Sequence, residues 1–583
     1  MSRRIAFRSL VMLACMLFQL ACAQGTTPAW VPADLAAKLN QAAATSYDNQ
    51  IVTDITYYQN AIAGLDTSNA TVAARTFLLK EKVLIMYKEY NRSKTRYVAN
   101  DFSFNSAYGT LKSDMNRMLT RLQAGQDPAA GIAGMLLARA TWIDSFYFNN
   151  TTEKYEPVIV KYDLIIPNGY NPSTPAPLMV SHKDSPSETL VKQTPYVLIR
   201  NYQVPDEFKL VRSDAKTRAV LIDVSKVVHI SPFRIYSTGY SFGGKTTYNM
   251  AWNNVHWFAA IVPLDADLCT SDDYFFEDCM YMQNVPTHIG HAVNDAFLSC
   301  GIAVYNAMYT AGNPVDSFHF PGGHDVDVPY RQDLSLVTDF FDQYTMHPYP
   351  KEVHHIVECT KWPRAFWVEA ITSYNVVCGT DAVFRVFAQA NNLIEIVQAD
   401  TPITGFILYL NDHLVNMGQN VTVVYGTDTL YTGAASDTLA VTVRSGAQIR
   451  NPYRERLPLW EEVDSISRVV FGSSPDVPSG WGQPYPPSNG SQVEHAVLDG
   501  EMMRLHVYPN PFNPAVMISA GVRCIAPLRV MIYDISGRMV TDLTTRMSNG
   551  RATWDASSQP SGIYIVKARI GKQVLTKPVT LMK

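Results

Sequence analysis

Neither sign of charge is in excess in this sequence: 48 Lys and Arg stand against 52 Asp and Glu, a formal net charge of -4 over 583 residues. Without a basic field there is nothing to gather a polyanion, so nucleic acid is excluded as a partner and no polybasic patch marks a membrane surface. No C-x-x-C pair and no histidine cluster occurs, so no metal and no cofactor is expected. The apolar run LVMLACMLFQLA, near the start, is too short and wrongly flanked for a spanning helix.

That run belongs to a leader instead. Arg3, Arg4 and Arg8 give a positive start, the apolar stretch follows, and Ala21-Cys22-Ala23 forms a small-residue cleavage site before Gln24. Residues 1–24 therefore read as an export signal, with no transmembrane segment after cleavage. Gln19 stands where a lipoprotein signal prefers an aliphatic residue, which argues against Cys22 as a lipid anchor. Six cysteines remain, Cys269, Cys279, Cys300, Cys359, Cys378 and Cys524, an even number for an oxidising compartment. Nearness in the chain suggests a Cys269–Cys279 bridge, with Cys359 and Cys378 as the other local pair.

A hydrophobic content of 47% supports well-built cores, and the length suits several domains. Residues 25–151 carry apolar positions at three- and four-residue steps, as in TVAARTFLLKEKVLIMYKEYNRSK, and predict a helical domain. From 152 to 347 strand-like runs (PVIVKYDLIIP, PLMVSHKD, YVLIRNYQ) alternate with helical ones. Residues 348–472 alternate apolar and polar positions between Gly, Asn and Asp, predicting an antiparallel β-sandwich. Residues 473–503 are a Pro-, Gly- and Ser-rich linker, and 504–583 a compact β-domain.

The chemistry concentrates in Gly239-Tyr240-Ser241-Phe242-Gly243-Gly244, which lies between an apolar run and a helical segment. A serine hydroxyl is a weak nucleophile and must protrude where a histidine can take its proton and backbone N–H groups can meet an oxyanion. A strand-turn-helix elbow achieves this, and its tightness leaves room only for small residues two before and two after the serine.

These residues resemble the α/β-hydrolase family, in particular secreted esterases and prolyl-oligopeptidase-like serine hydrolases. The resemblance implies a mostly parallel sheet flanked by helices over residues 152–347, and a triad in the order serine, acid, histidine. His291-Ala292-Val293-Asn294-Asp295 follows an apolar strand and puts Asp295 in the acid position. Phe318-His319-Phe320-Pro321-Gly322-Gly323-His324-Asp325 puts His324 in the base position; His319 competes but lies inside an apolar run. The N–H of Phe242 is the first oxyanion donor the family implies. The second comes from the residue after His182, where Lys183 replaces the family's glycine.

Ser241, Asp295 and His324 thus imply hydrolysis of carboxylic esters, on a small molecule or a polymer. A prolyl-oligopeptidase-type peptidase is the alternative, though no β-propeller repeat precedes the core. A non-catalytic binding or adhesion protein on the same scaffold is the other, and Lys183 is the feature that favours it. At the C-terminus YPNPFNP (508–514), VMIYDISGRMV (530–540), TWDAS (553–557) and SGIYIVKA (561–568) resemble the C-terminal sorting domain of the type IX secretion system. That implies passage through the periplasm, engagement of the type IX machinery, and a secreted or surface-attached product.

Overall fold

Strands buried at every position belong in a sheet covered on both faces. The computed structural model has two such runs at its centre, β3 (Ala176–His182) and β6 (Ala260–Leu264), each buried from end to end. It describes residues 46–95, 102–149, 154–201, 211–269, 278–357, 362–373, 382–448, 457–478, 504–508, 513–521, 528–546, 551–570 and 573–583. The leader at 1–24, most of the linker, and Cys359, Cys378 and Cys524 lie outside the described residues.

The central sheet adds β1 (Leu136–Asn149), β2 (Lys154–Ile165), β4 (Val197–Asn201), β5 (Ile230–Tyr240), β7 (Thr287–Ala292) and β8 (Val315–Phe320), in the order β1-β2-β4-β3-β5-β6-β7-β8. β1, β2 and β4 pair antiparallel, and every pair from β4 to β8 is parallel. This is the sheet of an α/β-hydrolase. The chain passes from β3 to β4 on one side and returns as β5 on the other, so a crevice opens at the C-terminal ends of β3 and β5. Open parallel sheets place their ligands at such a switch point.

Among the described residues three helices precede the sheet, α1 (Ser46–Ala63), α2 (Ala70–Thr95) and α3 (Phe102–Gln123), and the short α4 (Glu188–Gln193) joins β3 to β4. A buried charge network fastens the first three to the sheet. Lys82 of α2 bonds Asp223 of α5 (Val211–Ser225) at 2.7 Å, Arg139 of β1 reaches the same carboxylate at 3.0 Å and Asp114 of α3 at 3.2 Å, and the Tyr162 hydroxyl of β2 donates to Asp223 at 2.6 Å. Burial would push the Asp223 carboxyl up, but Lys82, Arg139 and Lys226 hold it far below the usual carboxylate range. The helices therefore cover the β1–β2 edge, not the crevice.

Two differences from the sequence reading stand out. Residues 136–149 are a strand where a helical domain running to 151 would include them. Leu137, Arg139, Thr141 and Ile143 are buried at two-residue steps, the period of a strand. Residues 459–471 are a helix where a β-module to 472 would have a strand. This α9 (Leu459–Phe471) buries Leu459, Trp460, Val463, Ile466 and Ser467 on one face, has Glu461 and Glu462 in its first turn, and ends at Gly472 with φ 75°. It packs back on the central sheet. Trp460 meets Phe233 at 5.8 Å, Phe471 stacks on His229 at 4.7 Å, and Arg218 pairs with Glu462.

Past β8 and α8 (Ser335–Phe341), and before α9, stand two facing sheets. One is five-stranded: β9 (Glu352–Val357), β12 (Ala382–Ala388), β13 (Leu393–Ala399), β15 (Asn420–Tyr425) and β16 (Asp428–Ala434). The other holds β10 (Arg364–Ala365), β11 (Val368–Thr372), β14 (Ile403–Leu408) and β17 (Leu439–Thr442). Phe384 and Phe406 meet between them at 5.4 Å. β13 and β15 pair parallel, so the sandwich is not wholly antiparallel as expected. The C-terminal β-domain has its own core around Ile518, Ile532, Trp554 and Val566.

Candidate active site

β5 ends at Tyr240 and α6 (Phe242–Asn253) starts at Phe242, leaving Ser241 alone at the bend with φ 55° and ψ -118°. A non-glycine residue in that region costs about 1–3 kcal/mol and persists only where its surroundings enforce it. Here they do. The Ser241 N–H donates to Leu264 O at 2.8 Å, and its carbonyl accepts from Lys245 N–H at 3.1 Å. A Cβ on Gly239 would stand 2.3 Å from Gly243 O, and one on Gly243 would stand 2.0 Å from His182 O. The strand, the helix and the end of β3 meet too closely for any side chain at those two positions.

The bend lifts the Ser241 hydroxyl to 2.9 Å from His324 Nε2, and His324 Nδ1 lies 3.1 Å from Asp295 Oδ1. His324 is on the loop after β8, Asp295 on the loop after β7. The His324 ring is held between Tyr240 at 5.0 Å and Phe297 at 5.1 Å, and the Tyr240 hydroxyl donates to the His324 carbonyl. Phe297 N–H donates to Asp295 Oδ1 at 2.9 Å. Burial would raise the Asp295 carboxyl, but Phe297 N–H, Asp265 and His324 outweigh it and hold it below its ordinary value. His319 is exposed on β8, opposite His291, and takes no part in this series.

Across the crevice the end of β3 packs on the first turn of α6. Lys183 stands there with φ 70°, a backbone conformation that suits glycine and that this lysine adopts nonetheless. Its ammonium lies 5.2 Å over the Tyr240 ring, and burial pushes its pKa down against the pull of Asp184. A cavity of about 520 Å³ opens beside it, lined by Lys183, Asp184, Ser185, Pro186, Ser187, Arg200 and Arg331. Phe242 begins a twelve-residue helix, whose positive end faces the serine.

Residues 506–581 match the family model of the secretion system C-terminal sorting domain. The chain ends in a type IX sorting domain. A sorting domain of this kind marks a secreted or cell-surface protein. No helix among the described residues is long and apolar enough to cross a membrane, and no curated protein matches the chain. Solved structures that resemble it include a thermostable esterase (18% identity, 36% of this chain and 64% of that one, TM-score 0.27). Others are Porphyromonas gingivalis dipeptidyl peptidase 4 (14%, 35% and 35%, 0.28) and the fluorophosphonate-binding serine hydrolase F of Staphylococcus aureus (16%, 36% and 97%, 0.28). The chain spans less than two thirds of the first two. Strand order and elbow carry the fold without them.

Ahead of that sorting domain, three residues of the site have no role in the sequence reading, although Tyr240 and His291 lie within its motifs. Tyr240 and His291 pack around the histidine and the acid. Asp265, at the end of β6, is buried with Asp295, and only an acidic residue following the apolar run AAIVPL hints at it. Asp265, Asp295 and His324 each bring a ligand-capable atom within 4.8 Å of the others. Both ring nitrogens of His324 are engaged, one by Ser241 and one by Asp295, so this trio offers a metal no free imidazole.

The bridge between Cys269 and Cys279 does not form. Cys269 joins Cys300, with Cα atoms 5.7 Å apart, and Cys279 is a buried cysteine outside that bridge, its thiol held by burial well above its ordinary pKa. The reason is topological: α7 (Leu298–Thr310) starts beside the end of β6, while Cys279 sits in a short turn that Asn313 clamps through the Cys279 carbonyl at 2.8 Å. The bridge closes a separation of 31 residues, worth about 3–4 kcal/mol in the chain-entropy picture. It ties the loop after Asp265 to the helix after Asp295.

Proposed function

We propose that this secreted protein is a serine hydrolase that cleaves carboxylic esters through an acyl-enzyme. Ser241 Oγ attacks the ester carbonyl carbon while His324 Nε2 takes its proton. Asp295 accepts from His324 Nδ1–H, fixing the tautomer that leaves Nε2 free as a base and stabilising the imidazolium that forms. The oxyanion meets the N–H of Phe242 at the helix start, with the N–H of Lys183 as the second donor. His324 then protonates the departing alkoxide, leaving an ester on Ser241. Water attacks that ester, His324 takes its proton, and the carboxylic acid leaves as Ser241 regains its hydrogen.

The observation that carries this reading is the unbroken hydrogen-bonded series from a serine on a strained elbow, through both nitrogens of one imidazole, to a buried carboxylate. An idle scaffold has no reason to keep Ser241 in a costly conformation within reach of His324. Esters are favoured over peptides because the described elements ahead of the sheet are three helices, not the repeated β-blades of a propeller peptidase. The test is release of p-nitrophenol from short-chain p-nitrophenyl esters by the purified chain, beside Ser241→Ala. Equal release by the two proteins would overturn the esterase reading and favour the binding-protein one.

A further inference from the structure

The mechanism above leaves Asp265 without a task, although it is 0% exposed and lies against the triad acid. It sits just past β6 with φ 46°, and its N–H donates to Gly290 O at 2.9 Å, which fixes the loop to the end of β7. Its Oδ1 accepts from Ala292 N–H at 2.8 Å, while its Oδ2 is buried with no donor. Asp295 mirrors it: Oδ1 takes Phe297 N–H and His324 Nδ1–H, and Oδ2 is buried with no donor. Two orphan carboxyl oxygens therefore share one buried site.

Both groups cannot be ionised there, since burying a second unpaired charge beside the first is far costlier than keeping a proton. Every neighbour that might supply a cation falls short. His291 Nδ1 of β7 lies 3.6 Å from Asp265 and 3.5 Å from Asp295 but hydrogen-bonds neither, and burial, against the pull of Asp295, lowers its pKa to about 4, so it brings no positive charge. His324 already serves Ser241 and Asp295. Tyr240 of β5 and Asp325 of the His324 loop bring no positive charge, exposed His319 of β8 lies beyond His291, and Lys245 of α6 pairs with Asp267 at 3.8 Å. Among the described residues no lysine or arginine pairs with either acid.

The geometry points to Asp265 as a positioning residue, a carboxylic acid that stays protonated while the enzyme works and donates its hydroxyl to the free oxygen of Asp295. Held so, Asp295 keeps its other oxygen turned to His324, and the site carries one negative charge rather than two. Burial, with Asp295 adding and Ala292 N–H opposing, pushes the Asp265 carboxyl up to about 8. The sign follows. As pH rises through that value the donor becomes a second anion facing Asp295, and the alignment of His324 is lost. Because the folded state holds this proton more tightly than the unfolded chain, Asp265 also lowers stability progressively as pH rises from the ordinary carboxylate range towards 8.

This inference rests on the hydrolase reading for its kinetics but not for its proton. Wild type, Asp265→Asn and Asp265→Ala are compared as full chains on a p-nitrophenyl ester across acid to alkaline pH. Asparagine can accept from Ala292 N–H and donate to Asp295 without ionising, so it retains most of the activity, loses the alkaline fall near pH 8, and melts no lower than wild type at neutral pH. Alanine loses about tenfold or more in kcat with little change in KM. An alkaline limb unchanged in Asp265→Asn, or equal losses in the two variants, overturns the assignment. The wild-type minus Asp265→Asn infrared spectrum reads the proton directly: a protonated-carboxyl band present at neutral pH and bleached at alkaline pH supports it even in a chain with no esterase activity. Absence of that band at neutral pH overturns it whatever the kinetics show.

Discussion

Gly243→Ala tests whether the contact between the elbow and the end of β3 has a catalytic purpose. The added Cβ would lie 2.0 Å from His182 O, 2.7 Å from His182 C and 3.0 Å from Lys183 Cβ. Ordinary contact begins at 3.4 Å, so the shortfall against the carbonyl oxygen is 3.4 - 2.0 = 1.4 Å. The obstacle is backbone and cannot rotate aside. His182 is pinned by its register with Asn201 of β4 and Gly239 of β5, so the displacement passes to the Lys183 peptide, already at φ 70°. That peptide carries the proposed second oxyanion donor. Losing one such donor costs about 10²–10³ in kcat, and a misplacement of about 1 Å has a similar effect. The expected result is a kcat lower by about 100-fold, KM changed much less, and a stability loss of about 1–3 kcal/mol from overpacking. Steady-state hydrolysis of a p-nitrophenyl ester, with circular-dichroism melting of the same samples, reads both. A folded Gly243→Ala enzyme with kcat within about threefold of wild type would refute the reasoning and remove Lys183 N–H from the oxyanion site.

Ser241→Ala and His324→Ala should each abolish nearly all esterase activity, and the double variant should lose little more, because a nucleophile and its base act as a unit; additive losses would mean that they work separately. Asp223→Ala strands Lys82 and Arg139 as buried, uncompensated charges and should cost about 3–5 kcal/mol. The Asp223 carboxyl is depressed on folding, so its contribution is present above the ordinary carboxylate pKa and disappears as pH falls through the folded value. Melting curves of wild type and Asp223→Ala should therefore converge on acidification, and a neutral-pH difference below about 2 °C would show that the network does not hold the helices. We further propose that the catalytic unit ends near Pro478, since His347 Nδ1 meets Pro478 O at 2.8 Å and α9 packs on β5. A chain stopped there should keep its activity and melting temperature but remain inside the cell that made it, whereas one stopped at Pro458, without α9, should lose stability by exposing Phe233; equal melting of the two truncations counts against this boundary.

What the sequence makes legible depends on how local the determinant is. The elbow is local: Gly239, Ser241 and Gly243 lie within five positions, and the contacts that demand glycine arise within the turn or against the strand beside it. The sorting domain is legible for the same reason, through short motifs that recur in order. Residues 136–149 and 459–471 carry the correct periods of two and of three to four, yet both adjoin stretches of the opposite type, and adjacency misassigns them. The cysteines fail differently, because Cys269 and Cys279 are neighbours in the chain while Cys300 is the neighbour in space.

Asp265 marks the point where pattern stops helping. In the sequence it is an aspartate after an apolar strand, as Asp295 is, and such residues commonly cap the loops they begin. What separates them is the parallel register of β6 and β7, with Leu264 opposite Gly290, which carries the two carboxyls into one buried space. Gly290 has to be glycine for that approach, since a Cβ there would stand 2.5 Å from Leu264 Cδ2 and 2.6 Å from the Phe318 ring. Once the strands close over it, the charge a lone aspartate would keep in water becomes too costly beside a second one. Which of the two keeps its proton then follows from their partners: Asp295 accepts from a backbone N–H and an imidazole through one oxygen, Asp265 from a single backbone N–H. The better-solvated carboxylate carries the charge and faces the histidine, and the other can serve only as its acid.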